Sequence, residues 1–315
     1  MNIELVKLIA LLIAGLVFVV LGADWLVDGA SGIARKAGIS EFVIGLTIVG
    51  FGTSCPELVV SLTGAFKGLA DISIGNVVGS NIYNTLLILG VTSMIAPMAM
   101  TKSNKTRDIP LVFGVTLLFI LFGKFNQDIS RLEGIMFLLI FVAYIWYCFK
   151  FTPREEQTET KEKQLKLWQA ICLVLIGLAG LIGGGQLFVN SATDLAKMIG
   201  VSDKFIAITI LALGTSLPEL ATCIVAAAKH KGQLALGNIL GSNIFNILLI
   251  IGASAVVTPL SFGSMNNIDL GVLLLSTILL FTSIYVAKRD VIDRVDATLM
   301  LLCQAGYMAW LFISL

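Results

Sequence analysis

Two short motifs place carboxylate, hydroxyl and amide oxygens inside stretches that are otherwise apolar enough to span a membrane. The first motif is G-T-S-x-P-E-L and the second is G-N-x-x-G-S-N-x-x-N. Each occurs twice: the first at 52–58 and 214–220, the second at 75–84 and 237–246. Burying one carboxylate at mid-membrane costs about 2.5–3.5 kcal/mol, so Glu57 and Glu219 each need a partner. Lysine and arginine occur only at the ends of these stretches, so the expected counter-charge is a bound cation.

The motif chemistry favours a hard cation. Gly52 and Pro56, matched by Gly214 and Pro218, predict a broken helix, because proline removes an amide donor and frees a backbone carbonyl. Carbonyl, hydroxyl, amide and carboxylate oxygens are the ligands that Ca²⁺ prefers, whereas softer metals call for cysteine or histidine. The five cysteines lack ligand spacing and are expected to be small core residues, and the single histidine, His230, is expected in a loop.

Composition identifies the class of protein that must position these motifs. Of 315 residues, 57% are hydrophobic and only 13% are charged, with a mean hydropathy of +0.96. A soluble domain carries roughly 25% charged residues, so the chain is predicted to be an all-α polytopic membrane protein. No basic patch suits nucleic acid and no G-x-x-x-x-G-K-[ST] phosphate loop is present, so we expect neither an enzyme nor an ATP-driven pump.

Apolar stretches long enough to cross about 30 Å of hydrocarbon recur along the whole chain. The first, from Leu8 to Ala23, lacks a cleavage site typical of a signal peptide and is predicted to be a retained helix. A polar stretch at 150–166 is predicted to be a short linker between a first half at 1–149 and a second half at 167–315. Ten spans are predicted, at 4–27, 41–66, 72–97, 108–123, 130–150, 167–189, 202–228, 234–259, 267–287 and 295–314.

The two halves repeat each other. Residues 52–90 align without a gap to residues 214–252, at an offset of 162, with 19 of 39 positions identical. Five spans per half is an odd number, so the second half should enter the membrane in the inverted orientation. Inverted repeats are typical of alternating-access transporters, which bind their substrate at the repeat interface. An inherited scaffold for a cation channel is the alternative left open by the repeat.

The distribution of positive charge predicts the orientation in a cell membrane. With the N-terminus outside, the inner loops hold 15 of the 21 lysine and arginine residues and the outer side holds 6. Both termini are therefore expected to be extracytoplasmic, with the linker 150–166 in the cytoplasm. Asp24 and Asp28, near the inner end of the first helix, are expected at the membrane interface.

At both motifs the sequence resembles the cation/calcium antiporter superfamily, and within it the sodium/calcium exchanger family. The resemblance covers nearly the whole chain and implies a site between the second, third, seventh and eighth helices, with Ca²⁺ and Na⁺ as transported ions. The first and sixth helices would slide past this core as gates. The implied ligands are carboxylates of Glu57 and Glu219, hydroxyls of Ser54, Ser216, Ser80 and Ser242, amides of Asn84 and Asn246, and backbone carbonyls of Thr53, Thr215, Gly50 and Ala212.

The other asparagines of the second motif can bind neighbouring parts of the chain as well as an ion. Asn81 and Asn243 suit interhelical hydrogen bonding as well as they suit ion binding. Asn76 and Asn238 are expected to bond to the backbone.

The resemblance also carries a prediction about coupling. Potassium-dependent exchangers have an aspartate at the position of Asn246, so the neutral amide here predicts exchange of Na⁺ for Ca²⁺ without K⁺. Ca²⁺ extrusion is the expected direction. The alternatives are a Ca²⁺/H⁺ antiporter that uses the same glutamates and, less favoured, a cation channel. No cofactor and no obligate protein partner are expected, only the two ions and the lipid bilayer.

Overall fold

The computed structural model describes residues 3–125, 127–151, 165–198, 200, 212–262, 267–286 and 290–313, almost entirely as helices. The helices are α1 (Ile3–Ala37), α2 (Glu41–Thr53), α3 (Cys55–Phe66), α4 (Ala70–Ile95), α5 (Asn104–Phe125), α6 (Arg131–Phe151), α7 (Leu167–Met198), α8 (Ala212–Thr215), α9 (Leu217–Ala228), α10 (Gly232–Val257), α11 (Asn267–Tyr285) and α12 (Arg294–Ile313). Four two-residue strands are β1 (Met98–Ala99), β2 (Asp128–Ile129), β3 (Leu260–Ser261) and β4 (Val291–Ile292). The predicted all-helical class is confirmed.

Within these described residues, eight helices are long and apolar enough to cross a membrane, or nine when the bent pair α2–α3 is counted as one span. Ten spans were predicted from the sequence. The difference lies at the predicted span 202–228, because residues 201–211 are outside the described part of the chain. The remainder of that span forms α8 and α9, which are too short to cross alone.

The boundaries of several elements recur at the offset of 162 residues seen in the sequence. Adding 162 to the bounds of α3, α4 and β1 gives the bounds of α9, α10 and β3. Strand β1 pairs antiparallel with β4, with Met98 opposite Ile292, and β2 pairs antiparallel with β3, with Ile129 opposite Leu260. Each half thus contributes one strand to each of the two small ribbons.

Helices α1 and α7 pack with their backbones in direct contact along glycines. A Cβ atom built on Gly22 would lie 2.6 Å from the backbone nitrogen of Leu181, and one on Gly177 would lie 2.6 Å from that of Leu26. Small residues at these positions let two membrane helices approach more closely than larger side chains permit. The contact therefore depends on glycine at both positions.

The helix carrying the first G-T-S-x-P motif is broken, as the sequence indicates. Helices α2 and α3 bend by 50° at Ser54, whose φ of −85° and ψ of 6° depart from helical values. Ser216 separates α8 from α9 with similar angles, −89° and 4°. Pro56 stands in the first turn of α3, where its missing N–H costs no hydrogen bond.

A buried ionic cluster joins α5 to α6. The fully buried Asp108 carboxylate accepts hydrogen bonds from Arg107 Nε at 2.6 Å, from the Tyr144 hydroxyl at 2.8 Å and from Asn104 Nδ2 at 3.2 Å. Asp269 accepts in the same way from the Tyr307 hydroxyl, at 2.8 Å, between α11 and α12. Both contacts tie an early residue of one helix to the helix that follows it.

Removing Asp108 should strongly destabilise the protein, because the Arg107 guanidinium would lose its buried carboxylate. We expect Asp108→Ala to cost about 3–5 kcal/mol, measured as a lower thermal unfolding midpoint of the purified protein in detergent. The matched control is Asp290→Ala, which removes a 71% exposed partner from Lys105 and should cost less than about 1 kcal/mol. Equal losses of stability in both variants would contradict this role for Asp108.

Candidate cation-binding site

The helix breaks place two buried glutamates at equivalent positions. Glu57 lies in the first turn of α3 and Glu219 in the first turn of α9. Each side chain is only 1% exposed. The N-terminal end of a helix carries a partial positive charge, which helps to stabilise a carboxylate there. That partial charge does not replace a counter-ion for two ionised groups away from water.

The first motif of one half contacts both motifs of the other half. Ser54 Oγ lies 3.1 Å from Glu219 Oε1 and 3.0 Å from Ser242 Oγ. The neighbouring Thr53 hydroxyl donates to Asn238 Oδ1 at 3.1 Å. Residues separated by 165 to 188 positions in the chain thus form one buried polar cluster.

Among the described residues, several buried oxygens of the two motifs have no hydrogen-bond partner. They are Glu57 Oε2, Glu219 Oε2, Ser216 Oγ and Asn246 Oδ1. Leaving a buried acceptor unpaired costs about 1–3 kcal/mol, and more when it is charged. All four belong to side chains that the family resemblance implies as cation ligands. Their chemistry suits Ca²⁺ or Na⁺, both of which are bound through oxygen.

The other predicted ligands have the following positions in the fold. Ser80 is buried beside Glu57, and Asn84 is buried in the next turn of α4. The Gly50 carbonyl already accepts from the Ser54 backbone N–H at 3.1 Å. Thr215 ends the short helix α8, which Ala212 begins. Among the described residues no three His, Cys, Asp or Glu side chains cluster, so neutral oxygens would complete the coordination of an ion.

Comparison with known proteins identifies the family. The family model described as "Sodium/calcium exchanger protein" matches residues 7–150 and 169–313. The chain belongs to the sodium/calcium exchanger family. It is therefore a multi-pass membrane cation/Ca²⁺ antiporter, a transporter rather than an enzyme.

Individual relatives of this exchanger-family chain match over nearly its full length. The putative antiporter CaxA of Alkalimonas amylolytica is 40% identical, over 96% of this chain and 98% of its own. The sodium/calcium exchanger MaX1 of Methanosarcina acetivorans is 33% identical, over 96% of this chain and 97% of its own. A solved structure of the sodium-calcium exchanger NCX_Mj superposes with a TM-score of 0.85 at 31% identity, covering 98% of this chain and 99% of that one.

Asparagines of the second motif form a network between α4 and α10 in this exchanger-family fold. Asn81 Nδ2 donates to the Asn243 carbonyl at 3.4 Å, and Asn246 Nδ2 donates to Asn81 Oδ1 at 2.8 Å. Asn243 Nδ2 donates to the Thr85 hydroxyl at 2.9 Å. Asn81 and Asn243 therefore make interhelical bonds, one of the two roles that the sequence left open, while the buried Asn243 Oδ1 has no hydrogen-bond partner among the described residues. Thr85 was not predicted, because nothing in its position marks it as a partner.

The other two asparagines behave differently from each other. Asn76 Nδ2 donates to the Glu57 carbonyl at 3.1 Å, so its predicted backbone contact is confirmed, and it also donates to Ser61 Oγ at 2.9 Å. The prediction for Asn238 is wrong: this side chain bonds to Thr53 and, through Nδ2, to Cys223 Sγ at 3.2 Å. Ser61 and Cys223 are 162 residues apart, and this offset is the signal that could have identified both.

A cavity of about 390 Å³ adjoins the site on one side. Residues of α3, α4, α7, α8 and α9 line it, among them Pro56, Asn76, Ser80, Gln186, Val189 and Thr215. Asn76, Ser80 and Thr215 belong to the two motifs. An ion could therefore reach the motif oxygens from this side.

Proposed function

We propose that this exchanger-family chain exchanges Na⁺ for Ca²⁺ by alternating access, with Glu57 and Glu219 as the principal ligands. The observation that supports the proposal is the pair of buried carboxylates, one from each half, whose Oε2 atoms have no hydrogen-bond partner in the described part of the chain. Two carboxylates balance the charge of one Ca²⁺. The empty site would carry two negative charges in the membrane interior, which opposes its reorientation without an ion.

The proposed ligand set is the one that the resemblance implies. Besides the two carboxylates it takes the hydroxyls of Ser54, Ser216, Ser80 and Ser242, the amide oxygens of Asn84 and Asn246, and the backbone carbonyls of Thr53, Thr215, Gly50 and Ala212. The contacts from Ser54 to Glu219 and Ser242 support this set, because they bring ligands from both halves into one cluster. The unpartnered oxygens of Ser216 and Asn246 support it further.

We also infer that the ten predicted spans form two inverted repeats, 1–149 and 167–315, joined by a cytoplasmic linker at 150–166, with both termini extracytoplasmic. The recurrence of element boundaries at an offset of 162 supports the repeat. The contact between Asn81 and Asn243, which occupy equivalent positions, supports a pseudo-twofold axis between the halves. The count of 15 inner against 6 outer cationic residues supports the orientation.

The number of carboxylates in the site also determines the net charge that is moved across the membrane and the expected direction of Ca²⁺ transport. When Na⁺ replaces Ca²⁺ in the family's usual ratio of three to one, the loaded site carries about one net positive charge. Each charge moved across the membrane is then worth about 2.3 kcal/mol per 100 mV. An inward Na⁺ gradient would therefore drive Ca²⁺ out of the cell, helped by a negative interior.

The coupling ion can be tested with purified protein in vesicles. We expect an outward Na⁺ gradient to drive radioactive Ca²⁺ uptake, and the rate to be unchanged when K⁺ is replaced by choline, because both Asn84 and Asn246 are neutral. Uptake driven by a pH gradient without Na⁺ would instead identify a Ca²⁺/H⁺ antiporter. Conductance without exchange would identify a channel, and stimulation by K⁺ would overturn the prediction of independence.

A further inference from the structure

An ion-pair cluster outside the site connects α1 to the turn between α9 and α10. Lys229 Nζ lies 2.7 Å from Asp24 Oδ1 and 2.7 Å from Asp28 Oδ1. The two aspartates are four residues apart, so they lie on one face of α1. Lys229 Nζ also donates to the Asp24 backbone carbonyl at 3.4 Å. One ammonium group thus binds three oxygens of α1.

Backbone hydrogen bonds hold the turn that carries Lys229. Its N–H donates to the Val225 carbonyl at 2.9 Å, and the following residues His230 and Lys231 donate to Ala227 and Ala226. Burial alone would lower the pKa of Lys229, but the hydrogen bonds that its ammonium group donates to the two aspartates outweigh burial and raise the pKa, so the group stays charged. The aspartate side chains are 45% exposed, so the pairs are partly screened and each contributes modestly.

The equivalent positions in the other half cannot form this cluster. Adding 162 to Asp24 and Asp28 gives Gln186 and Asn190, which are neutral, and subtracting 162 from Lys229 gives Lys67. Gln186 Nε2 donates to Asn190 Oδ1 at 2.8 Å. The sequence therefore provides an ion pair at one end of the paired α1 and α7 helices and only amides at the other.

Within the described residues the ion-paired end is closed, whereas the equivalent part of α7 borders the cavity. Gly185 and Val189 of α7 line the cavity beside the site, whereas their equivalents in α1, Ala23 and Val27, are 0% exposed.

The motif residues show the same difference between the two ends. Thr53 bonds to Asn238 at the closed end. Their equivalents at the other end, Thr215 and Asn76, both line the cavity.

We propose that Asp24, Asp28 and Lys229 form an ionic latch that holds the pathway closed on the side of the α9–α10 turn, which the proposed orientation makes cytoplasmic. The latch rests on the proposed alternating access, because α1 must move away from Lys229 for that side to open. Because the ion pairs occur at this end only, they bias the exchanger toward the state that is open on the opposite side. Breaking the latch lowers that bias without changing any ion ligand.

Cysteine labelling tests the latch directly. In a background with the five native cysteines replaced and exchange retained, Val27→Cys reports the closed side and Val189→Cys the open side. Adding Lys229→Gln should raise the labelling rate of Val27→Cys by a hydrophilic maleimide about two- to five-fold, which lies within the range that a pair of this exposure contributes. Labelling of Val189→Cys should fall, and Lys229→Arg should restore both rates.

Two further variants test whether the change in labelling comes from the latch itself. Lys231→Gln breaks a 3.3 Å ion pair to Glu41 of α2 from the same turn, and should leave both labelling rates unchanged. The double variant Gln186→Asp, Asn190→Asp places two carboxylates at the positions equivalent to Asp24 and Asp28, where Lys67 could bind them. A latch at this second end should slow labelling of Val189→Cys. Unchanged labelling in Lys229→Gln, in protein that still binds Ca²⁺, would overturn the latch. Labelling needs no ion gradient, so this failure is distinguishable from failure of the proposed coupling.

Discussion

Replacing Glu219 with glutamine should abolish Ca²⁺ exchange while the protein still folds. Glutamine has the shape of glutamate. Its amide oxygen can still accept the hydrogen bond from Ser54 Oγ, which lies 3.1 Å from Glu219 Oε1. It lacks the negative charge, however, and a neutral amide attracts a divalent ion at about 2.4 Å much less strongly than a carboxylate does. We expect Glu219→Gln, and equally Glu57→Gln, to reduce Ca²⁺ flux in vesicles at least about a hundred-fold.

The measurement needs a control for charge and one for folding. Asp71→Asn removes an exposed carboxylate from the first turn of α4 and should leave flux unchanged. Thermal unfolding should show both glutamine variants at least as stable as the parent without Ca²⁺, because each removes a buried charge that has an unpartnered oxygen. Normal Ca²⁺ exchange by either glutamine variant would show that the site lies elsewhere.

The sequence predicted the parts of this molecule that depend on composition and local chemistry. Apolar length predicts the helices, and proline next to G-T-S predicts the break seen at Ser54. The offset of 162 between the motifs predicts equivalent elements, and the bounds of α4 and α10 follow it. These features are local, so a single stretch of chain contains the information for each.

Long-range pairings were not predictable in the same way. Nothing in the sequence says that Ser54 contacts Glu219 rather than Glu57, because the register between the two halves depends on the packing of whole helices. Asp24 and Asp28 were assigned to the membrane interface on their position alone, and their shared partner Lys229 lies 201 residues or more away. Such contacts become visible only when the helices are assembled.

The glycines of α7 illustrate the same limit. Three successive glycines stand at 183–185, but only Gly184 packs against the backbone of α1, where an added Cβ would lie 2.8 Å from the Gly15 carbonyl oxygen. An added Cβ on Gly183 would have no atom of the described residues within 4 Å. The three glycines lie on different faces of α7, and the sequence alone does not show which of these faces packs against α1.

Gly22→Ala or Gly177→Ala should separate the α1–α7 pair and impair the protein as a whole. An added Cβ on Gly22 would lie 2.6 Å from the Leu181 nitrogen and 2.8 Å from the Gly177 carbonyl oxygen. Both contacts are with backbone, so relief requires the helices to move apart rather than a side chain to rotate. Overpacking of this kind costs about 1–3 kcal/mol, and we expect a lower unfolding midpoint together with reduced exchange.

The control is Gly183→Ala, which adds the same methyl group to the same helix in open space. It should leave the unfolding midpoint and the flux unchanged or slightly improved, because alanine is the better helix former by about 1 kcal/mol. If Gly22→Ala and Gly183→Ala prove equally stable and active, α1 and α7 do not depend on backbone contact. If Gly22→Ala alone fails, the two helices must stay in close contact for the protein to remain stable and to exchange ions.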